Sequence, residues 1–95
     1  MMPTIMKYRF KGVSMTQEER IALHRFMNEF WTYIKDFWDI ADTDEWWTAF
    51  MSRADAIADS FKDDGEVFTI AKRLIITYMK FQDERARERR KGSKT

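Results

Sequence analysis

Residues 17–41 read QEERIALHRFMNEFWTYIKDFWDIA, and this segment determines how the rest of the chain must be arranged. With successive residues about 100° apart on a helix, its apolar side chains share one half of the helical wheel. They are Leu23, Phe26, Met27, Phe30, Tyr33, Ile34, Phe37, Ile40 and Ala41, flanked by Trp31 and Trp38. An apolar arc of roughly 180° is wider than the stripe of an ordinary surface helix. The pattern therefore predicts that two further helices cover it.

Capping signals divide the chain into three helices. Thr16 followed by Glu19 forms a capping box, which predicts that the first helix begins at about residue 17 and runs to about 41. Asp42, Thr43 and Asp44 supply new N-caps, so a second helix is expected at about 44–62. The turn at residues 63–65, Asp-Asp-Gly, then leads into a third helix at about 66–90.

The second and third helices each have one apolar face. On the second helix this face contains Trp46, Phe50, Ala54, Ile57 and Phe61, with Trp47, Met51 and Ala58 beside it. On the third it contains Val67, Ala71, Leu74, Ile75 and Tyr78, with Phe68, Met79 and Phe81 at its edges. Ile76 falls on the polar face instead, so either the third helix is covered on two sides or an exposed Ile76 belongs to a contact with something else.

The fold class predicted from these patterns is all-α, a compact three-helix bundle. The chain has 95 residues, 44% of them hydrophobic, with three Gly and one Pro, which suits one helical domain. We divide residues 1–95 into an N-terminal arm (1–15), a helical core (16–82) and a basic C-terminal extension (83–95) that is expected to project and fray.

The N-terminal arm has a different periodicity. Met6, Tyr8 and Phe10 alternate with Lys7, Arg9 and Lys11, the period-two pattern of a strand. Because no second strand is evident in the sequence, we expect an extended or short β-like arm whose aromatic rings pack on the helices. Pairing with another chain and disorder are the alternatives.

Composition argues against most catalytic classes. The chain has no Cys and one His, His24, so disulfides, thiolate metal sites and multi-histidine sites are excluded. We therefore predict no catalytic residue, no cofactor and no metal ligand. The remaining enzyme alternative is an all-α hydrolase using Mg²⁺ bound by Asp36, Asp39, Asp55 and Asp59, but their spacing does not match the paired motifs of such enzymes. No apolar run is long enough to span a membrane, and a cytoplasmic location is expected.

Tryptophan content and charge distribution favour a protein-binding function. Four Trp are several times the number usual for this length, and residues 36–66 are strongly acidic. We expect a small adaptor, regulator or inhibitor, of the type found in phages and mobile elements, that binds an unidentified protein through an acidic and aromatic helical surface. A homodimer is a further option. The candidate partner-binding residues are Trp38, Trp46, Trp47, Ile76, Asp55, Asp59 and Asp63.

Binding to nucleic acid is the main alternative function. Basic residues cluster in the arm and in the C-terminal extension, where they could contact phosphates. They are Lys7, Arg9, Lys11, Arg85, Arg87, Arg89, Arg90 and Lys91. A net charge of +1 and the acidic second helix argue against a broad positive surface, so protein binding is preferred.

Overall fold

A computed structural model describes residues 14–93 of the protein. The predictions about the N-terminal arm, including those for Lys7, Arg9 and Lys11, concern residues outside this range. The described residues form helices α1 (Gln17–Asp36), α2 (Asp44–Ser60) and α3 (Glu66–Ser93), and residues 14–93 contain no strand. Each helix contacts both others. The predicted all-α three-helix bundle is thereby confirmed.

The start of α1 has the predicted capping box. The Thr16 hydroxyl accepts a hydrogen bond from the Glu19 amide (3.0 Å), and the Glu19 carboxylate accepts one from the Thr16 amide (2.9 Å). These two bonds satisfy backbone donors that the first turn of a helix leaves unpaired. Thr43 caps α2 in a similar way, because its hydroxyl accepts a hydrogen bond from the Trp46 amide.

The end of α1 differs from the prediction. The helix stops at Asp36, five residues before the expected residue 41, and Phe37 occupies the C-cap with a φ of −117°. The reason is a tertiary contact, since side chains of α3 bind the carbonyls at this end. The Tyr78 hydroxyl lies 3.2 Å from the carbonyl oxygens of both Ile34 and Phe37, which share its one proton, and the Gln82 amide donates to the Phe37 carbonyl. An early end to the helix leaves these carbonyls accessible to α3.

Aromatic rings fill the centre of the bundle. Phe26, Tyr33 and Phe61 have no exposed surface, and Phe50 has almost none. Tyr33 stacks on Phe50 with ring centroids 5.3 Å apart, and its hydroxyl donates a hydrogen bond to the Phe50 carbonyl at 3.0 Å. The polar atom of this buried ring is therefore satisfied, as burial requires. Burial also raises the pKa of the Tyr33 phenol, assisted by the neighbouring Tyr78.

The connection from α2 to α3 is the predicted turn. Helix α2 ends at Ser60, two residues early, because the Phe61 ring turns into the core at the C-cap position. Gly65 then has a φ of +57°, in the left-handed region that glycine adopts without steric cost. The turn brings the start of α3 back against α1 and α2.

The last turns of α3 are held more firmly than predicted. The sequence predicts that the basic extension from residue 83 onward projects and frays. The helix continues to Ser93, and Gln82 and Ala86 are buried. These two positions continue the buried face one and two turns beyond Tyr78, so the end of α3 packs on the segment that joins α1 to α2.

Candidate protein-binding surfaces

The most structured exposed feature is an aromatic cluster of Trp38, Phe81 and Arg85. The Trp38 and Phe81 rings have centroids 6.0 Å apart, and they are 44% and 43% exposed. The Arg85 guanidinium lies 4.3 Å from the centroid of the Trp38 ring and 5.6 Å from that of Phe81. Cation–π contacts of this kind hold the three side chains together.

Hydrogen bonds fix the cluster to the scaffold. Arg85 donates to the Trp38 carbonyl at 2.9 Å and to the side-chain oxygen of Gln82 at 2.6 Å. Gln82 is itself buried and donates to the Phe37 carbonyl and to the Tyr78 hydroxyl. A network from the core thus sets the orientation of Arg85, so the cluster presents a preformed surface.

The other two candidate tryptophans belong mainly to the rim of the core. Trp46 stacks on Phe50 at 4.9 Å, and Trp47 meets Trp46 edge to face at 4.7 Å. The Trp47 indole N–H donates to the Asp42 carboxylate at 2.8 Å. Both rings are half-buried, so each makes intramolecular contacts that the tryptophan count alone did not indicate.

Ile76 is exposed, with 50% of its surface accessible. It lies five residues before Phe81, which places the two side chains about 140° apart around α3. Ile76 therefore occupies a different side of the helix from the aromatic cluster. The structure does not bring it together with Trp38.

The acidic candidates lie on a third side of the molecule. Asp55 and Asp59 are exposed on α2, and Asp63 is exposed in the turn that follows. Asp59 contacts Lys62 at 3.6 Å. No ring contact, hydrogen bond or ion pair found among residues 14–93 joins these aspartates to Trp38, Phe81 or Arg85.

Most cations of the basic C-terminal end have intramolecular partners. Arg85 joins the aromatic cluster, Arg87 pairs with Asp83 at 3.0 Å, and Lys91 lies 3.8 Å from Glu88. Arg90 binds the Asp42 carboxylate through two hydrogen bonds of 2.9 and 3.0 Å. Arg89 is exposed. Because these side chains already contact acidic or aromatic groups, fewer of them are available to bind phosphates.

The bond between Arg90 and Asp42 also joins the end of α3 to the loop between α1 and α2. Asp42 has a φ of +56°, which is unusual for a residue other than glycine. Hydrogen bonds from Arg90 and from the Trp47 indole lower the pKa of the Asp42 carboxyl to about 2. The same bond raises the pKa of Arg90.

No cluster of metal-ligating side chains is found in the described part of the chain. Across residues 14–93, no three His, Asp or Glu side chains converge as metal ligands would. Asp36, one of the carboxylates considered for Mg²⁺, pairs with Arg53 at 2.8 Å. His24 is an exposed residue on α1. None of the helices in this range has the length and apolar character needed to cross a membrane.

Several exposed apolar residues were not predicted as surface features. Ile21, Met27 and Trp31 of α1 are 58%, 43% and 59% exposed, and Met51 of α2 is 52% exposed. For Met27 and Trp31 the signal was present in the sequence, because both lie at the edge of the wide apolar arc of α1, whereas Ile21 and Met51 lie outside this arc. Two neighbouring helices cover Phe26, Phe30 and Tyr33 but leave the edge of the arc uncovered.

Comparison with known proteins gives no relative. No protein-family model, no curated protein and no solved structure matches this chain.

Proposed function

We propose that the protein is a small non-catalytic binding module, an adaptor, regulator or inhibitor, that docks on a protein partner through Trp38, Phe81 and Arg85. The observation that carries this proposal is the geometry of the cluster. Two large aromatic rings remain almost half exposed although a guanidinium stacks on both of them.

The residue types and their rigidity support binding. Trp and Arg are enriched among the residues that contribute most to protein–protein affinity. Side chains held in place before binding lose less conformational entropy when the complex forms. The hydrogen bonds from Arg85 to the Trp38 carbonyl and to Gln82 provide this restraint. A partner that offers an apolar pocket for the Trp38 ring would fit this surface.

The test is affinity capture from the source cell, followed by binding measurements with the purified partner. Wild type is compared with Trp38→Ala, Phe81→Ala and, as a matched control, Ile76→Ala, an exposed apolar residue on another side of α3. We expect the two cluster variants to weaken binding by about 10- to 100-fold, the range typical of hot-spot residues. The control should bind as wild type does.

Two results would contradict the proposal. One is a partner that the cluster variants bind as tightly as wild type. The other is micromolar, steeply salt-dependent binding to mixed-sequence DNA or RNA that is lost when Arg87 and Arg89 are replaced, which would favour the nucleic-acid alternative.

A further inference from the structure

We propose that the protein associates with a second copy of itself, the outer face of α1 in one copy packing on the outer face of α2 in the next. This inference is independent of the aromatic cluster. It depends on opposite charge, matched spacing and exposed apolar residues on two helix faces.

The outer face of α1 carries no carboxylate. All of its residues are exposed, and we call them the basic face: Gln17, Arg20, Ile21, His24, Met27, Asn28, Trp31 and Lys35. The acids of α1 lie on other sides. Glu18 and Glu19 are in the first turn, where Glu19 caps the helix. Glu29 lies 3.8 Å from Arg25, and Asp36 binds Arg53. The charge of the basic face is therefore not neutralised by acids on the same face.

The outer face of α2 carries the opposite charge. Its residues are also exposed, and we call them the acidic face: Asp44, Thr48, Met51, Ser52, Asp55 and Asp59. Lys62, in the turn after the helix, lies 3.6 Å from Asp59. The face contains three carboxylates and no base, so it complements the basic face.

The charged residues of the two faces have the same spacing. Arg20 and Lys35 are fifteen residues apart in α1, as are Asp44 and Asp59 in α2, which is about 22 Å along a helix. If the two helices run antiparallel, Arg20 lies opposite Asp59 and Lys35 lies opposite Asp44. In that same register His24 lies opposite Asp55.

Exposed apolar residues lie between the charged residues, and the proposed contact would bury them. Trp31 and Ile21 are 59% and 58% exposed on the basic face, and Met51 is 52% exposed on the acidic face. In the antiparallel register Met51 lies opposite Asn28, one helical turn from Trp31. Exposed ion pairs alone contribute little affinity, whereas burial of large apolar side chains adds a favourable contribution.

Within one molecule the two faces cannot meet. Helices α1 and α2 pack through their inner faces, where Tyr33 contacts Phe50 and Phe37 contacts Trp46. The basic and acidic faces both point away from this contact, toward solvent. Each copy therefore offers both halves of the interface, and the complementary surface is that of another copy.

Charge exchange between the faces provides the test. Variant A carries Arg20→Glu and Lys35→Glu, so both of its faces are negative. Variant B carries Asp44→Lys and Asp59→Lys, the positions opposite those changed in variant A, so both of its faces are positive. By sedimentation equilibrium, we expect wild type to self-associate more weakly as salt is raised, and each variant alone to be weakened by at least about tenfold. An equimolar mixture of A and B should associate again.

A control separates the specific interface from general attraction between oppositely charged proteins. Arg73→Glu with Lys80→Glu changes the net charge as variant A does, but alters exposed positions on α3. This control should self-associate as wild type does. Trp31→Ala should weaken association without a change in net charge. Wild type that stays monomeric up to millimolar concentration, or a control that is weakened as much as variant A, would overturn the proposal.

Discussion

The buried amide of Gln82 donates a hydrogen bond to the backbone carbonyl of Phe37, at the residue where α1 ends. The same amide nitrogen lies 3.1 Å from the Tyr78 hydroxyl, and the Gln82 side-chain oxygen accepts from Arg85. One side chain thus joins the end of α1, the core and the aromatic cluster. Its burial is complete, although glutamine is rarely found fully buried.

Replacement of Gln82 by leucine should lower the free energy of unfolding. The change keeps the bulk of the side chain but leaves the Phe37 carbonyl with fewer donors and removes the acceptor for Arg85. A net hydrogen bond contributes about 0.5–1.5 kcal/mol, and Gln82 makes several, so a loss of about 1–3 kcal/mol is expected in urea denaturation. Lys80→Ala, an exposed change on the same helix, should alter the free energy by less than about 0.5 kcal/mol. Equal stability of the two variants would argue against the role of Gln82.

Tyr33→Phe should reduce stability at neutral pH and make it less sensitive to alkali. The variant loses the hydrogen bond to the Phe50 carbonyl, worth about 1 kcal/mol. Burial raises the folded-state pKa of Tyr33 above that of the unfolded chain. Its protonated form therefore stabilises the fold fully below about pH 10, and this contribution is lost as pH rises further.

Alkaline unfolding followed by circular dichroism, together with tyrosinate absorbance, measures this effect. Wild type should lose stability more steeply than Tyr33→Phe above about pH 10. Ionisation of Tyr33 in the folded protein without a loss of stability would contradict the buried position of its ring.

The helices could be predicted from sequence because their signals are local. Thr16 and Glu19 mark a helix start within four residues, and Asp63, Asp64 and Gly65 mark a turn within three. The end of α1 could not be predicted, since it depends on donors from Tyr78 and Gln82, which are distant in the chain. Local periodicity continued through residue 41, and only the tertiary hydrogen bonds favour the earlier end.

The candidate surfaces were predicted in part for the same reason. The excess of tryptophan drew attention to Trp38, but its contacts with Phe81 and Arg85 join separate helices and have no local signal. The buried position of Ala86 could have been found, because it continues the face of Tyr78 and Gln82 at intervals of four residues. The charged residues on both sides of Ala86 made this continuation of the buried face hard to recognise in the sequence.

Asp42→Asn should remove part of the stability that the protein has above about pH 4. The folded-state pKa of Asp42 is about 2, below its ordinary value of 3.8. A lowered pKa means that the ionised carboxylate stabilises the fold above the unfolded-state pKa, and that this contribution disappears as pH falls toward 2. Urea denaturation from pH 2 to 7 should show wild type and variant converging at the acid end. Glu45→Gln, which removes an exposed carboxylate at the start of α2, is the control. Its free energy of unfolding should differ from that of wild type by less than that of Asp42→Asn at pH 7.

Two glycine-to-alanine substitutions should differ in their effect on stability, because only one of the two glycines has a positive φ. Gly65 has a positive φ with open space around it, so Gly65→Ala meets no steric clash yet forces alanine into the left-handed region. The expected cost is about 1 kcal/mol.

Gly92 lies within α3, also with open space at its Cβ position. There Gly92→Ala should leave stability unchanged or raise it by up to about 1 kcal/mol, because alanine favours helix. Thermal unfolding of both variants measures the difference, and a Gly65→Ala variant as stable as wild type would show that the turn does not require its left-handed conformation.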